Sequence, residues 1–388
     1  MQNSKKKWAI IGGGMLGMTL AHRLSKENEV HLFEAGKNVG GLASAWKLDN
    51  IIWDKFYHVI LLSDSYLRKI LEEIGLEKEL NWVETRTGFY TDGKLYSMSN
   101  SLEFLKFPPL NLIDKLRLGF TIFYASKVKD WKKLEQIPVE KWLRKLSGNN
   151  TFEKIWLPLL RAKLGETYSK TSAAFIWATI QRMYAARKSG LKKEMFGYVS
   201  GGYARILEKF NEVLIKESVS IKTDHAAKKI ESKSDGKVTI EFQNGVVEEF
   251  DEVIITVPSP IAKNICPQLS EYEKEKIDGI QYLGVICASV LLKKPISNFY
   301  VTNITDANVP FTGIIEMSAL VDKKNFNSNS LVYLPKYLTP DDEWFKLSDV
   351  EIEQKFLSKI LEMYPQLKVT DILNFKIARA KYVFALST

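Results

Sequence analysis

The sequence predicts an α/β fold built from two domains, and three observations support this prediction. The first 35 residues contain a strand, a glycine-rich turn, a helix and a second strand in that order. Residues 100–190 read as mostly helical, whereas residues 219–258 and 281–334 are rich in strands. At 388 residues, the chain is also longer than one hydrophobic core usually supports. We therefore expect two domains, one of which begins with the βαβ unit.

The βαβ unit carries a glycine motif at its strand-to-helix turn, where Gly12, Gly14 and Gly17 match the pattern GxGxxG. Gly12 permits a tight turn, Gly14 lets the backbone approach a pyrophosphate, and Gly17 lets the helix pack closely on the strand. Free N–H groups at the helix N-terminus attract phosphates. The predicted elements are a strand at 9–12, a helix at 15–26 and a strand at 29–35. The residues predicted to contact the cofactor are Gly12, Gly13, Gly14, Met15, Leu16 and Gly17.

An acidic residue ends the second strand at about the 20-residue distance that ribose recognition requires. Glu34 can accept hydrogen bonds from a ribose diol, and Ala35 beside it is predicted to share this contact. A ribose with a 2′-phosphate is disfavoured, because two negative charges would meet there. A lone GxGxxG also occurs in ordinary turns, but the strand, the helix and the acid agree here and predict a dinucleotide site.

A second glycine pair follows the acidic residue, in the segment "GKNVGGLASAW". Two adjacent residues without Cβ atoms permit another close approach of the backbone, which suits a long ligand lying extended across the domain. An NAD-dependent dehydrogenase has no general need for this pair. The sequence therefore favours FAD over NAD, with predicted contacts at Gly40, Gly41, Leu42, Ala43 and Ser44.

GxGxxG, the glutamate and GGxxxS together resemble the N-terminal signature of the flavin amine oxidase and protoporphyrinogen oxidase superfamily, which includes phytoene-desaturase-like enzymes. The resemblance implies a Rossmann-like FAD-binding domain. It also implies that Asp54 and His58 of "WDKFYHVI" lie near the flavin, with His58 as a neighbour and not a base. Ala227, where the family commonly has valine, and the strand "DEVIITVP" are implied to place backbone around the adenine.

The remaining elements predict how two domains share the chain. Helices are expected from Ser63, after Gly201-Gly202 and from Ser348. Turns are predicted at Asp92-Gly93, Asp235-Gly236 and Asn244-Gly245. We expect residues 1–62 and 195–265 to form the FAD-binding domain. Residues 63–194 and 266–388 are expected to form a discontinuous, largely helical plus sheet substrate domain.

Flavin chemistry needs few catalytic side chains, because the isoalloxazine itself accepts the hydride. The sequence has no Ser/His/Asp set and no telling carboxylate pair, and Cys266 and Cys287 have no metal-ligand spacing. We name no catalytic residue and no metal. The expected function is an FAD-dependent oxidoreductase that removes hydride from a C–N or C–C bond of an organic, apolar substrate. Two alternatives stay open: a flavin-dependent isomerase resembling sugar-nucleotide mutases, and a degenerate homologue that binds nucleotide without turnover.

Composition and charge favour a cytoplasmic protein with a small-molecule partner. Hydrophobic residues make up 45% and charged residues 26% of the chain, as in soluble globular proteins. The net charge of +9 comes from scattered lysines and arginines, so no nucleic-acid partner is expected. Two cysteines without a disulfide framework indicate a reducing compartment. The oligomeric state stays open.

The segment "PPLNLIDKLRLGFTIFYASKVKDW" at 108–131 combines an apolar face with Lys115, Arg117, Lys127 and Lys129. We expect this helix to pack its apolar face inward and to direct its charges to solvent. The alternative is peripheral contact with a membrane surface.

The C-terminal part lacks one expected motif. Flavoproteins of the type that the chain resembles usually end with a glycine-rich strand-to-helix turn at the pyrimidine end of the flavin, yet the last glycine here is Gly313. The run "DILNFKIARAKYVFALST" predicts a strand that stops before such a turn. We therefore expect a fragment that lacks the closing segment and that holds FAD weakly by itself.

Overall fold

The computed structural model describes residues 5–185 and 195–386. Residues 186–190 of the predicted helical stretch and the chain ends at 1–4 and 387–388 lie outside this part. The strands of the described residues are β1 Lys7–Ile11, β2 Glu29–Phe33, β3 Ala45–Leu48, β4 Ile51–Asp54, β5 Ile60–Leu61, β6 Leu80–Glu84, β7 Thr87–Thr91, β8 Lys94–Ser97, β9 Met195–Val199, β10 Ser220–Lys222, β11 Ala227–Ser232, β12 Val238–Phe242, β13 Val247–Phe250, β14 Glu252–Ile255, β15 Tyr282–Leu292, β16 Val301–Ile304, β17 Gly313–Glu316, β18 Ser330–Leu338 and β19 Ile372–Ala385.

Most of the helices lie in the middle of the chain, where the sequence predicts them. The helices of the described residues are α1 Met15–Leu24, α2 Ser65–Glu73, α3 Ser101–Leu105, α4 Leu112–Lys127, α5 Lys132–Glu135, α6 Val139–Ser147, α7 Asn149–Thr151, α8 Leu157–Leu164, α9 Ala173–Ala185, α10 Gly202–Lys216, α11 Ser259–Ile265, α12 Glu271–Asp278 and α13 Asp349–Met363. A π-helical segment at Phe152–Trp156 joins α7 to α8.

A parallel sheet of four strands forms the first layer, in the order β10-β2-β1-β14. The central strand β1 is buried on both faces, as is usual in parallel sheets. Ile10 faces the core beneath α1 and α10, which Met18 and Phe210 also fill. Ala9 and Ile11 face the opposite side, where the antiparallel sheet β11-β12-β13 packs. The predicted α/β, Rossmann-like layer is confirmed.

A seven-stranded sheet forms the second layer, in the order β19-β15-β18-β17-β16-β7-β8. Side chains of β15 alternate between its two faces. Ile286 packs with Phe356 of α13 on one face. Cys287 packs on the other face with Trp53 of β4 and Tyr333 of β18. The sheet therefore lies between α13 and the β3–β4 hairpin that follows the glycine pair.

The hairpin of β7 and β8 joins this sheet through distant contacts. Its turn residues Asp92 and Gly93 have φ angles of 52° and 69°, as a two-residue hairpin turn requires, so the predicted turn is confirmed. Both carboxylate oxygens of Asp306 accept hydrogen bonds from the amides of Asp92 (2.8 Å) and Gly93 (2.9 Å). β16 pairs in parallel with β7. Residues more than 200 positions apart thus build one sheet.

A helical layer covers the end of this sheet. α4, α6, α8 and α9 share a core that contains Trp142, Phe152 and Trp156, together with Phe89 of β7 and Leu283 of β15. The layer and the seven-stranded sheet therefore share one hydrophobic core, which fixes their relative positions.

The predicted orientation of the 108–131 segment is wrong for its apolar face and for Lys115, whereas Arg117, Lys127 and Lys129 are exposed as predicted. Lys115 is only 8% exposed, and its ammonium donates to the carbonyl oxygen of Leu105. The side chains that α4 buries are Asp114, Lys115, Leu118, Thr121 and Ala125. A broad apolar face points outward and comprises Leu112, Ile113, Leu116, Phe120, Phe123 and Tyr124, which are 43–66% exposed. We call this surface, with Leu102 and Leu105 of α3, the α3–α4 face. No helix of the described residues is long and apolar enough to cross a bilayer.

Glu316 is a carboxylate buried at the end of β17. One oxygen accepts a hydrogen bond from the amide of Ile296 at 3.1 Å, and the other accepts from the hydroxyls of Ser318 and Ser330. Burial raises the pKa of Glu316, and these hydrogen bonds oppose the shift only in part. The folded state therefore holds a proton at pH values where the unfolded chain has lost it.

The buried carboxyl makes stability fall with pH. Its contribution is complete below the unfolded pKa and is lost as pH rises through the raised folded pKa. Glutamine has no charge to desolvate, and serine hydroxyls can donate to it or accept from it. We expect Glu316→Gln to gain stability relative to wild type as pH rises from acid to neutral, by at most about 1.4 kcal/mol per pH unit. Thermal melts followed by circular dichroism test this, with exposed Glu343→Gln as the control. A pH-independent difference between Glu316→Gln and wild type contradicts the assignment.

Candidate functional site

Backbone packs directly on backbone at the turn between β1 and α1. Gly12 has a φ of 113°, and a Cβ there would lie 2.6 Å from Oγ1 of Thr256. A Cβ on Gly17 would lie 1.9 Å from the carbonyl oxygen of Gly12. Gly14 differs, because no described atom lies within 4 Å of its Cβ position. The first and third glycines are thus required for packing, and the second borders open space.

The N-terminus of α1 opens on the same space. Gly14 is its N-cap residue, and within the described part of the chain no side chain caps it by hydrogen bonding. The first amides of a helix have no partner within the helix, so those of Met15, Leu16 and Gly17 are available to an anion. Leu16 is 61% exposed at this end. An uncapped helix start beside open space fits a pyrophosphate.

The second glycine pair packs onto the first glycine cluster. The amide of Gly40 donates to the carbonyl oxygen of Gly13 at 2.7 Å, and Gly14 and Gly40 form a parallel bridge. Gly40 and Gly41 have φ angles of 124° and 53°, and a Cβ on Gly41 would lie 3.3 Å from Cα of Gly14. Gly41, Leu42 and Ala43 form a single 3₁₀ turn, and Ser44 follows it in an extended conformation. The structure therefore brings the two predicted clusters together.

Glu34 connects this turn to the end of β2. Its Oε2 accepts a hydrogen bond from the amide of Gly13 (2.9 Å), and its Oε1 accepts from that of Gly36 (2.7 Å). A carboxylate has further acceptor positions, so a ribose hydroxyl can still donate to it. A groove of about 940 Å³ adjoins Glu34 and is lined by Ser44 and Lys55. Ala35 is exposed next to Glu34.

Asp54 lies buried at the end of β4, where it holds α10. Its Oδ1 accepts a hydrogen bond from the amide of Tyr203 (2.9 Å), and its carbonyl oxygen accepts from the hydroxyl of Tyr333 (2.6 Å). Burial raises the pKa of Asp54, and His58 opposes that shift. Nδ1 of His58 lies 3.8 Å from Oδ2 of Asp54, and its ring centroid lies 4.9 Å from that of Tyr203. Asp54 thus links the β3–β4 hairpin to α10 and to the seven-stranded sheet.

Two later strands complete the surroundings of the turn. The amide of His225 donates to the carbonyl oxygen of Glu34 at 2.9 Å, and Ala227 begins β11 shortly after it. Thr256 follows β14, and its hydroxyl donates to the carbonyl oxygen of Gly12 at 3.0 Å. Sequence reasoning assigned only backbone to this strand end and missed the hydroxyl. Its signal was the threonine of "ITVP", which stands directly after the apolar run.

A cavity of about 400 Å³ lies between the helical layer and the seven-stranded sheet. Its lining is mostly apolar, with Ile122 of α4, Trp156, Leu160 of α8, Phe175 of α9 and Ile315 of β17. Trp156 belongs to the π-helical segment, which is a local distortion often found at functional sites. The cavity can hold the apolar part of a small organic molecule.

Polar groups border the cavity on one side. The hydroxyls of Tyr57 and Tyr337 lie 2.7 Å apart, and burial raises the pKa of both phenols. Lys163 of α8 and Asn303 of β16 also line it. Sequence reasoning missed these residues, because they come from segments far apart in the chain and share no motif.

One short segment connects the glycine turn to the cavity. The amide of Lys55 donates to the carbonyl oxygen of Ser44 at 3.0 Å, which closes the β3–β4 hairpin behind the second glycine pair. Tyr57 follows two positions later and lines the cavity. Tyr57 in the cavity wall thus lies three residues beyond the hairpin that follows the second glycine pair.

The parallel sheet, the uncapped helix start and the paired glycine clusters define a dinucleotide-binding protein of the flavoprotein class. The chain belongs to the flavin containing amine oxidoreductase family, whose pattern it matches over residues 17–382. The predicted superfamily and the predicted cofactor FAD are confirmed. The chain is therefore an FAD-dependent oxidoreductase.

The chain is similar in sequence to a 15-cis-phytoene desaturase of Glycine max, which is 21% identical over 95% of this chain and 68% of the relative. Among solved structures, an oxidoreductase from Methanosarcina mazei has a TM-score of 0.75 at 18% identity, covering 97% of this chain and 88% of that one. A reduced UDP-galactopyranose mutase has a TM-score of 0.75 at 16% identity, covering 99% and 84%. These structures share the fold.

The glycine geometry predicts opposite outcomes for two similar substitutions. Gly17→Ala forces a methyl group onto the Gly12 carbonyl, and we expect it to lower the free energy of unfolding by about 3 kcal/mol. Gly14→Ala meets no described atom, so we expect the fold to keep its stability within about 1 kcal/mol. The added methyl group lies where the pyrophosphate approaches, and FAD affinity should fall at least about tenfold.

Thermal melts of the FAD-free chain measure the first effect, and titration of the chain with FAD, followed by flavin fluorescence, measures the second. Gly119→Ala on α4 is the control for adding a methyl group elsewhere, since Gly119 also has no positive φ and no described atom lies near its Cβ position. Unchanged FAD affinity in Gly14→Ala contradicts the proposed approach of the pyrophosphate.

Proposed function

We propose that the protein removes hydride from a C–N or C–C bond of an apolar organic substrate bound in the 400 Å³ cavity. The observation that carries the proposal is the mostly apolar cavity, whose wall includes Tyr57 shortly after the β3–β4 hairpin. When bound, FAD supplies the hydride acceptor. The protein's own residues bind the substrate, exclude water and orient the reacting bond.

The proposal assigns FAD to the residues predicted from the sequence. The turn amides and the start of α1 hold the pyrophosphate, Glu34 and Ala35 meet the ribose, and the second glycine pair permits close approach of the backbone. His58 is placed beside the flavin and Ala227 beside the adenine. The proposed FAD contacts are Gly12, Gly13, Gly14, Met15, Leu16, Gly17, Glu34, Ala35, Gly40, Gly41, Leu42, Ala43, Ser44, His58 and Ala227.

We infer the same division into domains as the sequence analysis, with residues 1–62 and 195–265 as the FAD-binding domain. The parallel sheet and the β11-β12-β13 sheet draw all their strands from these residues. The seven-stranded sheet draws all its strands from 63–194 and 266–388. The small sheet β5-β9-β6 spans both sets and supports a close junction between them.

The cavity residues support the handling of an apolar substrate. Trp156, Leu160 and Phe175 offer dispersion contacts and keep water from the reacting bond. The phenols of Tyr57 and Tyr337 satisfy each other through their 2.7 Å hydrogen bond. Because burial raises both pKa values, they stay neutral at ordinary pH and act as hydrogen-bonding groups without charge.

The alternative is an isomerase that returns the electrons without net oxidation, and its support is the shared fold with UDP-galactopyranose mutase. A sugar nucleotide carries many hydroxyl and phosphate groups, which an apolar lining does not satisfy. The lining therefore favours oxidation of an apolar substrate over this alternative.

Anaerobic reduction of the bound flavin tests the proposed function. We expect 15-cis-phytoene in detergent, a porphyrinogen or a long-chain alkylamine to bleach the flavin absorbance of wild type. Ala162→Trp, which fills the cavity, should keep bound FAD and lose at least about tenfold in reduction rate, an effect of about 1.4 kcal/mol. Exposed Ala178→Trp on α9 is the matched control.

Reduction of the flavin by substrate at equal rates in wild type and Ala162→Trp contradicts the cavity as the substrate site. Conversion of a sugar nucleotide only by prereduced enzyme favours the isomerase. FAD binding without turnover of any tested compound favours the degenerate homologue.

We also propose that the α3–α4 face contacts an anionic membrane surface. The face carries eight exposed apolar side chains, and exposed lysines at 106, 127, 129, 132 and 133 flank it. This combination fits an interfacial helix on anionic lipid, whereas two copies of the face would bring like charges together. Ile122 lies on the same helix and lines the cavity, so the face adjoins the site of an apolar substrate.

Co-sedimentation with phosphatidylcholine vesicles, with and without phosphatidylserine, tests the membrane contact. We expect wild type to partition onto the anionic vesicles and the double substitution Phe120→Glu, Phe123→Glu to reduce the partition at least about tenfold, because charges enter the apolar layer. Exposed Tyr272→Glu on α12 is the control. Wild-type protein that stays in the supernatant contradicts the proposal. The proposal is also contradicted if the wild type is a dimer that the double substitution dissociates.

A further inference from the structure

Lys163 is the cation on the wall of the otherwise apolar cavity. Its Nζ lies 5.8 Å from the ring centroid of Tyr337 and 5.9 Å from that of Phe384. Within residues 5–185 and 195–386, no carboxylate lies within ion-pair distance of this ammonium. Lys163 lines the cavity and is also exposed to solvent.

Among the described residues, the surroundings of this ammonium supply no acidic partner. Burial lowers the pKa of Lys163, and the nearby positive charge of Arg182 lowers it further. Aromatic faces at almost 6 Å offset only a small part of the lost hydration. Arg182 itself is paired with Asp64 at 3.0 Å and does not share that partner with Lys163. An anion beside Lys163 would favour its charged form and so oppose both effects on its pKa.

We propose that the substrate is an amphiphile with a single carboxylate, which pairs with Lys163 while its apolar body fills the cavity. This inference rests on the proposed function, because it takes the cavity as the substrate site. Lys163 acts here as a binding residue that sets specificity and the direction in which the substrate enters.

The charge count favours a carboxylate over a phosphate group. A phosphate or diphosphate carries more than one negative charge and is usually held by several cations or by a helix N-terminus. The cavity lining offers Lys163 together with neutral polar groups such as Asn303 and Thr312. One ammonium and neutral hydrogen-bonding groups match one negative charge.

The same ammonium disfavours a cationic substrate. A protonated amine in the cavity would face Lys163 without an acid between them, and like charges repel strongly in a site of low polarity. The proposed function left open whether a C–N or a C–C bond is oxidised, and the charge of Lys163 distinguishes the two. It points to oxidation of a C–C bond in a carboxylate-bearing chain and away from the C–N bond of an amine.

Three probes with one alkyl chain and different head groups test the proposal: decanoate, decanol and decylammonium. Their affinities for the full chain with FAD are measured by calorimetry below the concentration at which the probes aggregate. We expect decanoate to bind wild type at least about tenfold more tightly than decanol, and decylammonium to bind more weakly than decanol. Lys163→Met should remove the preference for decanoate, and Lys163→Arg should keep it.

Exposed Lys170→Met is the matched control and should leave all three affinities unchanged. Equal binding of decanoate and decanol to wild type overturns the proposal, and so does a preference that survives in Lys163→Met. If Lys163 acted as a general base instead, Lys163→Arg and Lys163→Met would both lose turnover while both kept the binding of decanoate. That result would also overturn the proposal. Binding is measured without turnover. A head-group preference in a chain that oxidises no substrate therefore refutes the proposed function alone.

Discussion

The contact between the Gly17 backbone and the Gly12 carbonyl is the constraint on which the arrangement of the site depends. It leaves no room for a Cβ, so it fixes the distance and direction of α1 relative to β1. With α1 in this position, the carbonyl oxygen of Gly13 is free to accept the amide of Gly40, and the carboxylate of Glu34 accepts the amide of Gly13. The β1–α1 turn, the end of β2 and the second glycine pair thus meet at one place, because the close contact between Gly17 and Gly12 fixes the position of α1.

The connection from this turn to the cavity is made by hydrogen bonds of the β3–β4 hairpin. The hairpin closes behind Gly41 through the bond between Lys55 and Ser44. Its last residue, Asp54, then binds the start of α10 through Tyr203 and accepts a hydrogen bond from Tyr333 in the seven-stranded sheet. A buried carboxylate with raised pKa is costly by itself, and the hydrogen bond that it accepts from the amide of Tyr203, with His58 nearby, offsets part of that cost. Movement of the glycine turn would therefore strain the cavity wall at Tyr57.

The local parts of this structure could be predicted from sequence, and the parts assembled over long distances could not. Gly12, Gly14, Gly17 and Glu34 form a pattern of fixed spacing, since strand, turn and helix follow one another without interruption. The cavity could not be predicted from the sequence, because Tyr57 and Lys163 come to line one cavity only after the helices and the sheet pack together. The direction of the apolar face of α4 and the exposure of Lys115 were predicted wrongly for a different reason. Apolar residues surround this helix, so charge alone suggested the outer face, and Lys115 proved able to bury its stem and bond a carbonyl.

The parallel pairing of β16 with β7 has a consequence for how the chain acquires its structure during synthesis. The β7–β8 hairpin is complete early, but its partner strand and the carboxylate of Asp306 that holds its turn come 214 residues after Asp92. At about 5–20 residues per second, a ribosome needs roughly 10 s or more to supply them. The edge of β7 stays unpaired throughout that interval, and an unpaired strand edge makes the nascent chain prone to aggregation. Expression yield should therefore depend on translation speed between residues 97 and 301 and on chaperones that cover this edge.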